Sequence, residues 1–208
     1  MILDRFQQAF TTTSQGGNQH TLPATDFGVE NLGTILDHLG GKTFNNGLYR
    51  VLRADQVHAL TQAMEDVFPE YRGRIVPFGF DWLGRHFASD NKRIENGQPQ
   101  VLMLEVGAGE AMEIPACILD FHNHELVEYA DDALSMPFWR QWRTLNPSDV
   151  EFTQCVGYKV PLFLGGPDEL SNLEVVDLSV YVEICGQLRN KTRTLLPGQS
   201  IRRVSMSD

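Results

Sequence analysis

The spacing of apolar residues divides the chain into a helical opening, a strand-rich centre and a mixed C-terminal part. A short helix is expected from about Asp4 to Phe10, and the polar run TTTSQGGNQHTLPATD over 11–26 reads as a loop. Leu32, Ile35, Leu36 and Leu39 fall on one face of a helix over Val29–Leu39, which Gly40-Gly41 stops. Asn46-Gly47 is a hairpin-type turn before a strand over Leu48–Leu52. Val57, Leu60, Met64 and Val67 recur at helical spacing within Asp55–Phe68, with Asp55 as a natural N-cap and Pro69 as the stop.

From Arg74 the period changes to two. Val76, Phe78, Phe80 and Trp82 alternate, so the three aromatics are expected on one sheet face, packed on the Asp55–Phe68 helix. Turns at Leu83-Gly84, Asn96-Gly97 and 107–109 separate this strand from strands at Arg85–Ser89, Val101–Val106 and Ala111–Ile114. The result is a four-stranded antiparallel meander. Helices are expected over His122–Tyr129 and after Ser135, a candidate cap, with Phe138, Trp142 and Leu145 on one face. Val156–Leu164, interrupted by Pro161, reads as an edge strand or an extended connector, and Gly165-Gly166-Pro167-Asp168 as a turn. Residues 176–185 fit two periods. Val176, Leu178, Val180, Val182 and Ile184 alternate as a strand, whereas Leu178, Tyr181, Val182, Cys185 and Leu188 share a helical face. A helix over Asp177–Asn190 is favoured, because Asp177 can cap it and Arg189 and Lys191 suit its end. The fold class is α+β: an antiparallel β meander packed with helices.

With 208 residues the chain can bury a full core without staples. Cys117, Cys155 and Cys185 lack metal or disulfide spacing and read as small buried hydrophobes in a reducing cytosol. Asp4 and Arg5 stand where a secretory signal needs an apolar run, and no stretch is long enough for a membrane span, so a cytoplasmic location without membrane contact is expected.

Charge sharpens the picture. The net charge is −10, which disfavours direct nucleic-acid binding. From Ile94 to Trp139 there are nine acids and no Lys or Arg, and a second base-free stretch lies between Lys159 and Arg189. The bland reading is solubility. The sharper one is a field that draws in a basic partner. Glu125, Glu128, Asp131 and Asp132 are the candidate partner contacts, and Arg189, Lys191, Arg193, Arg202 and Arg203 form a basic end.

Signals for catalysis are weak. His122, His124 and Glu125 could hold a metal if on a strand, but on a helix the two histidines diverge. Asp81, between Phe80 and Trp82, is expected to face solvent or a turn amide. Gly165-Gly166 lacks the rest of a phosphate-loop pattern, and no nucleophile elbow occurs. A binder with no catalytic residues, metal or cofactor is the expected reading.

Phe78-Gly79-Phe80-Asp81-Trp82-Leu83-Gly84-Arg85-His86-Phe87 resembles the central signature of GAD-like domains. Residues 155–166, CVGYKVPLFLGG, with Asn172-Leu173-Glu174 and 177–181, DLSVY, are similar to the C-terminal domain of type VI secretion immunity proteins that neutralise a DNase effector. The resemblance implies an N-terminal helix and polar loop (1–24), a GAD-like domain (25–115), an immunity-protein C-terminal domain (116–195) and a basic tail (196–208), with SMI1/KNR4-like kinship. Phe78, Phe80, Trp82, Gly84, Pro161, Gly165, Gly166 and Asn172 would then be structural. The resemblance also implies a cytoplasmic antitoxin that binds and blocks a cognate, basic nuclease. The alternatives are an SMI1/KNR4-like interaction or regulatory module without a toxin partner, and a metal-dependent hydrolase using the His122/His124/Glu125 cluster.

Overall fold

A computed structural model describes residues 3–16 and 27–193. Its centre is a seven-stranded antiparallel sheet whose strands follow one another in sequence order. These are β1 (Thr12–Gln15), β2 (Lys42–Phe44), β3 (Tyr49–Val51), β4 (Ile75–Asp81), β5 (His86–Glu95), β6 (Gln98–Glu105) and β7 (Glu110–Cys117). The expected meander is therefore present as β4–β7, extended by three strands. β1 is a correction: its four residues were expected in a loop, but they pair with β2 along the sheet edge.

Successive strand residues point to opposite faces, and here both faces are apolar. On β6, Val101 and Met103 enter one core while Leu102 and Leu104 enter another. The first core is covered by α1 (Asp4–Ala9), α2 (Leu32–Leu39), a helical run over 118–133 and α7 (Met136–Leu145). The second is covered by α3 (Val57–Val67) and α8 (Leu178–Thr192). A separate hairpin, β8 (Gln154–Tyr158) with β9 (Leu173–Asp177), joins the sheet end to α8.

The three aromatics of β4 do not share a face. A bulge between Pro77 and Gly79 inserts one residue and resets the side-chain alternation. Phe78 meets Phe121 and His122 at 5.6 Å. Phe80 lies instead 5.3 Å from the Arg50 guanidinium and 5.8 Å from Phe152. Trp82, past the strand end, packs on Phe138, Trp139 and Trp142 of α7. The partners of Met64, Val67 and Phe68 are Ile75, Ala88, Leu102 and Leu104.

The helical run is also built differently from its expectation. It opens as α4 (Ile118–Asp120), widens into a π-helix over Phe121–Glu125, and continues as α5 (Leu126–Glu128) and α6 (Ala130–Ala133). Ser135 precedes α7 in a left-handed conformation and makes no side-chain cap, and Leu145 is exposed. Asp55 does not cap α3; it pairs with Arg53 at 3.0 Å. The dual pattern of 176–185 resolves into both elements. β9 ends at Asp177, whose carboxylate accepts from the Ser179 and Val180 amides and starts α8. All three cysteines are free and buried.

Candidate functional site

The π-helix separates the two histidines of the H-x-H motif. His122 is buried, with Nδ1 2.7 Å from the Ile118 carbonyl and Nε2 3.0 Å from the Tyr49 hydroxyl. A carbonyl only accepts, so Nδ1 carries the proton and Nε2 accepts from Tyr49. Burial lowers the His122 pKa to about 4, which keeps the ring neutral. His124 is on the outside, where Arg5 donates to its Nδ1 at 2.7 Å. Among the described residues no group of three or more His, Cys, Asp or Glu is placed to hold a metal.

Glu125 ends the π-helix, Glu128 lies in α5 and Asp131 and Asp132 in α6, and this acidic shoulder is partly neutralised. Arg5 reaches Glu128 at 2.7 Å from α1, and Arg140 reaches Asp131 at 3.8 Å from α7. Glu125 and Asp132 have no cation within ion-pair distance among the described residues.

Asp81 is fully buried, not solvent-facing. It accepts from the Leu83 and Arg85 amides at 3.0 Å and from the Arg85 guanidinium at 2.6 Å. Burial raises the carboxyl pKa and the Arg85 charge and N–H donors oppose this; donors alone surround it, which only the ionised form satisfies. It is a turn lock in the sheet, with every bond spent on structure. The Gly165-Gly166 loop is likewise structural. Asn172 accepts from the Val160 amide and donates to the Val160 and Pro167 carbonyls. A Cβ on Gly166 would come within 1.9 Å of the Val160 oxygen, so no larger residue fits this loop.

Sequence reasoning missed a groove of about 1070 Å³ between α3 and α8. The helices cross where Gly186 meets Val67; a Cβ on Gly186 would lie 2.8 Å from Val67 Cγ2. Arg189 donates to the Val67 carbonyl, and Asn190 to that of Asp66 at 3.2 Å, which fastens the crossing. Toward their N-termini the helices part. Leu60 and Ala63 line one wall, Leu178 and Val182 the other, with Phe80 and Phe152 between. The signal available in sequence was Ala59, Ala63 and Gly186, small residues on otherwise bulky helix faces.

Comparison with known proteins bears on the C-terminal part. Residues 127–189 match the family described as T6SS immunity protein Tdi1, C-terminal. This span runs from α5 through α8 and so includes one wall of the groove. No curated protein sequence matches the chain. The crystal structure of Atu4351 from Agrobacterium tumefaciens is similar in fold, with a TM-score of 0.59 at 13% identity, covering 86% of this chain and 86% of that one. Among the described residues no helix is long and apolar enough to cross a membrane. Over residues 127–189 the chain is thus similar to the C-terminal domain of type VI secretion immunity proteins, as its PLFLGG and NLE strings imply.

Proposed function

We propose that this chain is an immunity protein that stays in the cytoplasm of the producing cell and neutralises a cognate type VI secreted nuclease by binding it, without catalysis. The observation that carries the reading is the family match over residues 127–189. The net charge of −10 supports a basic partner, since a nuclease presents cations where DNA phosphates lie. The structural duties of His122 and Asp81 support a binder, because both have their hydrogen bonds committed inside the fold. Glu125 and Asp132 are the part of the acidic shoulder free to steer the encounter. The test is co-expression of this chain with the type VI effectors of its own cell. One effector should lose its toxicity and its DNA cleavage in the presence of the chain. Protection against none of them rejects the reading.

A further inference from the structure

The α3–α8 groove lies apart from the acidic shoulder: none of the residues lining it falls between 121 and 140. Its volume of about 1070 Å³ suits roughly four turns of an α-helix sunk to half its ~10–12 Å diameter. Its walls are apolar and its two rims differ in charge. On the α3 side, Arg53 pairs with Asp55 and Arg72 with Asp66, each at 3.0 Å, so that rim is neutral. On the α8 side stand Asp177 and Glu183, whose neighbours are hydroxyl, amide and backbone groups and, among the described residues, no cation within ion-pair distance. The same holds for the whole second base-free stretch: Asp168, Glu169 and Glu174 have no ion-pair partner among the described residues either, and Asp168 accepts from the Tyr158 hydroxyl.

We propose that this groove receives an amphipathic helix of the effector, with its apolar face between Leu60 and Val182 and Lys or Arg along the edge that runs beside Asp177 and Glu183. Such a segment fills an apolar furrow in the manner of helix-in-groove recognition and matches the one rim whose charge is not cancelled from within. This rests on the immunity reading and adds the docking element and the chemistry of its occupant.

The experiment uses the effector that the protection assay selects, immobilised against the full chain, with on- and off-rates read by interferometry. Ala59→Trp fills the groove from an exposed position, and Ala63→Arg charges its wall; circular dichroism melts verify that both fold. Each should weaken binding by about 50-fold or more, chiefly through the off-rate. Glu183→Lys should slow association about 10-fold at low salt, a difference that fades as salt rises. Hydrogen exchange on the wild-type complex should protect α3 and the first half of α8. If both groove variants bind like wild type, or protection falls on 125–132 alone, the groove proposal is overturned while the immunity reading stands. A wild-type dimer that Ala59→Trp dissolves, with effector binding unchanged, assigns the groove to a second copy and also overturns it. Wild-type chain that binds no effector removes the immunity reading and the groove with it.

Discussion

Trp82 offers the sharpest test of how the sheet is joined to α7. Its ring is fully buried, lies 5.2–6.2 Å from Phe138, Trp139 and Trp142, and donates Nε1–H to the Leu134 carbonyl at 2.9 Å. Trp82→Ala removes this ring and leaves a cavity walled by three other aromatics, which cannot collapse without moving α7. Large-to-small changes of this kind cost ~3–5 kcal/mol. The Leu134 carbonyl also loses its donor, which adds ~1 kcal/mol if no water replaces it. Against a total stability of ~5–15 kcal/mol, the alanine variant is close to unfolding, so Trp82→Phe is the informative companion. It keeps most of the apolar contact, loses the N–H donor and part of the ring, and should cost ~1–2 kcal/mol. Urea melts followed by far-ultraviolet circular dichroism would give both values from the shift in midpoint at constant slope. An alanine variant that melts with the wild-type midpoint would refute the packing, and a phenylalanine variant as damaged as alanine would refute the split between ring and hydrogen bond.

Burial holds His86 and His122 at pKa about 4, below the ~6.5 of the unfolded chain. The unfolded state therefore takes up protons that the folded state refuses, and stability should fall as pH drops from ~6.5 toward ~4, by up to ~3 kcal/mol per histidine. His86 is fully buried, so His86→Phe should remove about half of that pH slope in urea melts; an unchanged slope would contradict it. Asn172→Ala strands the Val160 amide and the Val160 and Pro167 carbonyls together, and should lower stability by ~2–3 kcal/mol in a thermal melt. A loss below ~0.5 kcal/mol would show that water takes over these bonds. Charge reversal of Glu125 and Asp132 to Lys should slow effector association at low salt and leave the melting temperature unchanged, whereas Glu128→Lys also sets Lys against Arg5. Equal on-rates for all three at low salt would remove the shoulder from the encounter.

The parts of the fold that could be read from the chain were those whose periodicity is local. The β4–β7 meander, α3 and α8 all follow from repeating apolar positions, and Asp177 caps α8 as its place in the sequence suggests. What escaped depends on partners far away or on a single inserted residue. Nothing in Thr12–Gln15 marks a strand, because all four residues are exposed; they are held by pairing with β2 and by the Asn46 amide, which donates to the Thr13 hydroxyl. The bulge at Phe78 leaves the alternating letters intact while turning one aromatic to the other side. The groove needs α3 and α8, which lie far apart in the sequence and meet at Val67 and Gly186.

Charge gives the same lesson with a different consequence. A base-free stretch of sequence need not be a base-free surface. The longer one, Ile94 to Trp139, receives Arg93 at Glu113, Arg5 at Glu128 and Arg140 at Asp131, all from residues outside it. The shorter one, between Lys159 and Arg189, receives none among its described acids. Its flanking cations are turned elsewhere: Lys159 donates to the Ser171 carbonyl, and Arg189 reaches back to Glu70 and the Val67 carbonyl. Ion pairs already made on the surface have little left to offer a partner, because a competing cation must first displace the resident one. Acids without a cation keep their full field. The five acids of the shorter stretch are therefore all uncancelled among the described residues, and two of them, Asp177 and Glu183, border the α3–α8 groove.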